Sequence, residues 1–427
     1  MRGSTDCATR STRALTEVST AAGIARGFIA PGYERLARRL EHVVSDMGEV
    51  GCAVAAYRDG VEVANLWCGM DGEEPWTEAT LAVVFSATKG AAALCAQVLA
   101  DRGLLDVDAP VVKYWPEYGA AGKEATLVRH FLEHTAGVLT VPRYWEHIGA
   151  DGRGLSDWEN MISLIEAAPP SWPPGSQAGY HAYTYGFLVG ELVRRVDGRT
   201  LGRFFAEEVA APLGLEFWIG LPEAMLPRVA RVLPPAPIDL ETLPEPQRAI
   251  ADFVAQVFAQ GRDAVRGGRE LSLEALPWSA FFMPPDADTD GVDTVIAALM
   301  NEPWMQTREL PNGNGIGTAR ALARMYSCLA QGGELDGVRL VSEASIAQFS
   351  RERTNVNGLP MALGYHRLGP DWGGAIPSDA AFGHGGAGGA LAFADPVRRV
   401  SFAFVKNQMS LQPTARELVR ALYSCLD

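Results

Sequence analysis

The run Val83-Val84-Phe85-Ser86-Ala87-Thr88-Lys89-Gly90 decides how this chain is read. Val83 to Phe85 close an apolar run of strand character, and Gly90 to Ala100 is an alanine-rich segment of high helical propensity. Ser86 therefore falls at or near a helix N-terminus, an end that carries partial positive charge. Lys89, three residues on, projects from the same helix face and reaches the Ser86 hydroxyl. Lysine titrates near about 10.4 in water, but burial favours the neutral amine, which can accept a serine proton. A Ser-x-x-Lys spacing also arises by chance at solvated helix starts. Here an apolar strand precedes it and a small-residue helix follows, so the lysine is expected in a buried place where solvated lysines seldom sit. The pair reads as nucleophile and base.

Outward from this run, Leu36, Leu40, Val43, Val44 and Met47 recur at helical spacing between Gly32 and Met47. Cys52 to Tyr57 and Val61 to Trp67 are strand-like and joined by Arg58-Asp59-Gly60, and Asp-Gly between such runs is a hairpin signal. After Leu105 the chain turns to helices broken by Pro110, Pro116, Pro142, Pro169-Pro170 and Pro173-Pro174-Gly175. Thr126 to Glu133 reads as a short helix capped by Thr126, running into His134-Thr135-Ala136-Gly137, and Tyr185 to Val196 is a helix stopped by Asp197-Gly198. Residues 232–311, rich in proline and acidic loops, are expected to be irregular and to face the substrate. Gly317 to Leu329 and Ser342 to Phe349 are read as helices, Gly389 to Ala394 and Val400 to Val405 as strands turned at Asp395-Pro396, and Thr414 to Leu426 as amphipathic. Strands thus occupy both chain ends. They are expected to pair into one antiparallel sheet flanked by helices, an α/β arrangement built from residues 24–110 and 317–427, with a mainly helical insert at 111–316. Ser86 would lie at the junction, where clefts form.

Composition bounds the function. With 427 residues and 48% hydrophobic content the chain can bury a large core, and no 18 apolar residues run together. The net charge of -14 without a Lys/Arg cluster speaks against nucleic acid or an anionic membrane as partner and for a small molecule. Residues 1–23 are polar and Ser/Thr-rich, without the apolar core of a secretory signal, and read as a flexible tail on a cytoplasmic protein. Cys7, Cys52, Cys68, Cys95, Cys328 and Cys425 show no metal or redox spacing and are expected as buried thiols. Cys52 and Cys68 flank the hairpin symmetrically, which leaves a disulfide open.

Four motifs stand in order: Ser86-Ala-Thr-Lys89, Leu132-Glu-His-Thr-Ala-Gly137, Pro174-Gly175 before Tyr180, and His384-Gly385-Gly386. Over roughly residues 30 to 425 the chain resembles the serine β-lactamase and penicillin-binding-protein superfamily, in the class C branch that includes family VIII carboxylesterases. The resemblance implies a Ser86 nucleophile, Lys89 as the base, Tyr180 as proton relay, and the amides of Ser86 and Ala387 as an oxyanion hole. It further implies His384, Gly385, Gly386 and His181 as substrate-binding, and no cofactor or metal. Taken alone, Tyr180, Tyr183 and Tyr185 would read as packing aromatics; the turn Pro174 to Gly179 is what can present Tyr180 to a cleft.

Two departures shape the expected substrate. Lactamases of this superfamily carry Tyr-x-Asn and Lys-Thr-Gly, where this chain has Tyr180-His181-Ala182 and His384-Gly385-Gly386. A β-lactam carboxylate would lack its cation. The expectation is a carboxylesterase acting on small esters; a transacylase moving the acyl group to an alcohol or amine, a weak β-lactamase and a non-catalytic binding protein stay open beside it. No Gly-x-Ser-x-Gly elbow of an α/β-hydrolase occurs, and the His130-Phe-Leu-Glu-His134 run, which matches the order of some zinc proteases, is absorbed by the second motif.

Overall fold

The computed structural model describes residues 24–426 except 142–143, 150, 237–291, 357, 371–373 and 411–412. The expected N-terminal tail, Cys7 and most of the expected substrate-side loops lie outside the described residues.

The Asp-Gly hairpin forms as its chemistry requires. Strands β2 (Gly51–Arg58) and β3 (Val61–Asp71) pair antiparallel around Asp59 and Gly60, both at positive φ (50° and 78°). Cys52 sits opposite Cys68, and both are free thiols in the structure. On β2 the side chains alternate between two cores: Cys52, Val54 and Ala56 face one, Ala53, Ala55 and Tyr57 the other. A strand covered on both faces needs no polar alternation, which is why this stretch reads as continuously apolar.

The C-terminal strands complete the sheet. With β1 (Arg26–Ile29), β4 (Thr354–Val356), β5 (Leu359–Met361), β6 (His366–Arg367), β7 (Phe382–Gly385), β8 (Leu391–Asp395) and β9 (Val400–Lys406), the order is β1-β3-β2-β9-β8-β7-β6-β5-β4, antiparallel throughout. The first and last parts of the chain meet where β2 pairs β9, as in Val54 opposite Phe404. One face is covered by α1 (Glu34–Ser45) and the C-terminal helix Thr414–Tyr423, through Leu36, Leu40, Val43, Leu418 and Leu422. Lys406 and Glu49 are buried beneath that layer as an ion pair at 2.7 Å, with Thr414 donating to the same carboxylate.

The other face meets the helix Ala319–Ala330 and α2 (Thr88–Asp101), whose residues Thr88 to Leu99 are all buried. Such a helix needs small side chains, and Gly90 shows why: a Cβ there would lie 2.2 Å from the Tyr326 hydroxyl. Several boundaries differ from the sequence reading. Thr126 does not cap α3 (Val128–Leu132); it is fully buried, and the cap is Leu127, whose N–H donates to His130 Nδ1 at 3.2 Å. The helix expected from Gly317 starts at Ala319 behind a Thr318 cap, because Gly317 pairs in a short strand with Phe217 and Ala82. Within 232–311 the described end is not irregular but holds two helices, Val292–Met300 and Pro303–Thr307. Among the described residues no helix is long and apolar enough to cross a membrane.

Candidate active site

Ser86 lies in one turn of 3-10 helix, Phe85–Ala87, that leads directly into α2. The residue before it carries an unusual backbone: Phe85 has φ 50°. Ser86 is 9% exposed, and Lys89, one turn on, is fully buried. Lys89 Nζ lies 3.2 Å from Ser86 Oγ, and the amine donates to the main-chain carbonyls of Ala182 (2.8 Å) and Asn312 (2.7 Å). Among the described residues no carboxylate pairs with it.

These three contacts decide the protonation chemistry. A neutral amine has two N–H bonds and one lone pair. If the two carbonyls take the N–H bonds, the lone pair is left facing the Ser86 O–H, which can donate to it. Burial pushes Lys89 well below the ordinary lysine value, in the same direction. Ala182 and Asn312 contribute only carbonyls, so their side chains carried no signal in the sequence.

Tyr180 follows the turn at Gly175 (φ 85°) and is partly exposed, and its hydroxyl lies near enough to Ser86 for the two groups to interact. Burial raises its hydroxyl above the usual tyrosine value, the neighbouring Ser86 opposing, so the group is a neutral phenol near pH 7. The Lys89 amine lies 5.0 Å from its ring centre. Of the two groups Lys89 is the one able to accept a proton, and Tyr180 can pass one without holding the charge.

A belt of imidazoles surrounds Tyr180. His134 packs against it with ring centroids 4.8 Å apart, His181 is 5.6 Å from His134, His384 is 6.4 Å from Tyr180, and His366 is 4.2 Å from His384. His134 Nδ1 accepts from the His181 backbone N–H at 3.1 Å, and the Nδ1 atoms of His181 and His384 donate to the carbonyls of Gly179 and Gly385 at 2.7 Å. Burial holds all four neutral: it lowers His181 and His366 to about 4 and takes His134 and His384 well below the ordinary histidine value. Neutral rings next to a buried amine add no charge that would draw water in. His181 and His384, read from the motifs as substrate-binding, are 0% and 1% exposed, so in this conformation neither ring offers surface to a substrate. His366 was not singled out by sequence, and His134 was read only as part of the second motif and the zinc-like run; their places beside Tyr180 and His384 depend on the pairing of β6 with β7 and on the left-handed turn at His134 (φ 60°), which no local pattern announces.

Gly385 ends β7, and Gly386, Ala387 and Gly388 form the turn into β8. Ala387 is exposed, and its amide donates to no backbone acceptor among the described residues. The strand end touches the segment that leads into Ser86, since a Cβ on Gly386 would lie 2.2 Å from the Val84 carbonyl oxygen. Ser86, Lys89, Tyr180 and the Gly385-to-Ala387 segment thus come together from three remote parts of the chain. The zinc-like run does not gather as a metal site: His130 Nδ1 accepts from Leu127, His134 Nδ1 from His181, and Glu133 lies 3.9 Å from Arg353.

The family model of the Beta-lactamase family matches residues 36–423. The chain belongs to that family. The esterase/β-lactamase LipL of Mycobacterium tuberculosis is 36% identical over 373 residues, 84% of this chain and 77% of LipL. The crystal structure of a family VIII carboxylesterase superposes with a TM-score of 0.78 at 32% identity, over 94% of this chain and 99% of that one. A penicillin-binding-protein homologue from Caulobacter crescentus superposes with a TM-score of 0.74 at 33% identity, over the same shares of the two chains. The β-lactamase fold, with its large antiparallel sheet and helical layers, is therefore shared across nearly the whole chain.

Proposed function

We propose that the protein is a serine carboxylesterase that cleaves small, uncharged esters through an acyl-enzyme on Ser86. Ser86 Oγ gives its proton to the Lys89 lone pair and bonds to the ester carbonyl carbon; the carbonyl oxygen takes the negative charge and is met by the amides of Ser86 and Ala387. When the tetrahedral adduct collapses, the carbon–alkoxy bond breaks, and the proton travels from Lys89 through the Tyr180 hydroxyl to the departing oxygen. Water then enters, yields a proton through Tyr180 to Lys89 and bonds to the acyl carbon; collapse of this second adduct breaks the carbon–Oγ bond, releases the acid and returns the proton from Lys89 to Ser86 Oγ. An alcohol or amine taking the place of water would give a transacylation by the same machinery.

The observation that carries the choice of ester over β-lactam is the state of His384. It stands where the family's third motif has lysine, yet it is buried, donates to the Gly385 carbonyl and is held neutral. A substrate carboxylate finds no cation there, and Ala182 offers no side-chain amide in place of the second-motif Asn. A charge-assisted hydrogen bond contributes roughly 1.5–3 kcal/mol, or about one to two decades of rate if made in the transition state. Comparing kcat/KM for p-nitrophenyl butyrate and nitrocefin on one preparation tests this. The ester is expected to be favoured by at least about tenfold. The weak β-lactamase reading, which the double name of LipL favours, takes over if nitrocefin is turned over as fast.

A further inference from the structure

Phe85 is a bulky residue held at φ 50°, a region that such side chains rarely enter and that persists only where the surroundings enforce it. The enforcement is visible. Thr88 Oγ1 donates to the Phe85 carbonyl at 2.5 Å and accepts from the Gly315 N–H at 2.8 Å, while the Val84 N–H donates to the Gly315 carbonyl at 2.9 Å. The Phe85 side chain is 6% exposed and lies against the turn after β7. A Cβ on Gly388 would fall 2.5 Å from Phe85 Cε2 and 2.8 Å from Cδ2, and one on Gly386 would fall 3.1 Å from Phe85 Cβ. The two glycines that bracket Ala387 are therefore both packed on the residue that precedes Ser86.

We infer that Phe85 is a positioning residue, whose left-handed backbone sets the Ser86 amide and whose ring sets the Ala387 amide, fixing the spacing of the two oxyanion donors. The inference rests on the reading of those two amides as the oxyanion hole. Such donors act only when they are placed for the charge that develops in the transition state, so a displaced turn lowers kcat and leaves ground-state binding nearly unchanged. Glycine at 386 and 388 is then a requirement of close approach rather than of flexibility.

The test is a double-mutant cycle on the full chain with Gly388→Ala, Phe85→Ala and the pair. Three readouts are taken: kcat and KM for p-nitrophenyl butyrate, inhibition by a trifluoromethyl ketone that mimics the tetrahedral adduct, and the melting temperature. Gly388→Ala pushes a methyl group into the ring and is expected to cut kcat by about 10- to 100-fold, with KM within about threefold and ketone affinity falling in parallel with kcat. With the ring removed in Phe85→Ala, itself slow, the same glycine change should cost less than about threefold more. Phe85→Leu serves as a second background if Phe85→Ala does not fold. Equal losses from Gly388→Ala in both backgrounds, or an unchanged ketone affinity, overturn the inference. Labelling by a fluorophosphonate on the unmutated protein separates the underlying reading: if the label is not on Ser86, the nucleophile assignment fails before Phe85 is in question.

Discussion

Replacing Lys89 by Arg separates a neutral base from a fixed positive charge. A guanidinium stays protonated in proteins and has no lone pair to accept the Ser86 proton. General-base catalysis contributes about 10²–10⁴ in rate, or roughly 3–5 kcal/mol of barrier, and Lys89 is placed for it at 3.2 Å from Ser86 Oγ. Acylation by the Arg variant should fall by that factor, as it should in Lys89→Met, which lacks both charge and base. The two variants differ in stability. Lys89 is fully buried with two carbonyl acceptors and, among the described residues, no carboxylate, so a permanent charge there is uncompensated. An uncompensated buried charge costs about 3–5 kcal/mol, which should lower the urea midpoint of Lys89→Arg but not that of Lys89→Met to the same extent. The assay is the pre-steady-state burst of p-nitrophenol, with urea unfolding of the same samples. An Arg variant that acylates within about tenfold of the unmutated protein would refute the neutral-amine account.

Two other outcomes follow from the same geometry. His181 is buried and its folded value is lowered from 6.5 to about 4, so the unfolded chain binds the proton more tightly; its contribution to stability is present above about 6.5 and is withdrawn as pH falls toward 4, by roughly 3 kcal/mol. Urea midpoints should therefore drop between pH 6.5 and 4.5, and a flat profile there would contradict a closed imidazole belt. Tyr180→Phe should slow acylation by about 10²-fold or more while moving the melting temperature little, because only the hydroxyl that meets Ser86 is lost; equal losses of rate and stability would make Tyr180 a packing residue.

Much of the fold was legible because its signals are local. Asp59-Gly60 announces its hairpin through the positive φ that both residues adopt, and Asp197-Gly198 stops its helix for the same reason at Gly198 (φ 91°). The start of α3 was misplaced because Thr126 has the chemistry of a cap but is drawn into the core, a tertiary effect that overrides a local preference. At the site, Ser86 and Lys89 were legible through an i, i+3 relation that any helix turns into proximity. Their partners at Ala182 and Asn312 were not, since a main-chain carbonyl is present at every residue and only the fold selects two of them. His384 was read as a substrate contact by its place in a motif, and its burial beside His366 depends on sheet register rather than on sequence.

The central claim is that Ser86 carries the acyl group, and intact-mass spectrometry after rapid mixing with p-nitrophenyl butyrate tests it most directly. The account predicts a single butyryl adduct on the unmutated protein, mapped to the peptide holding Ser86, that decays as water turns it over and is absent from a folded Ser86→Ala variant. An adduct on another residue, or ester turnover that survives in Ser86→Ala, would contradict it.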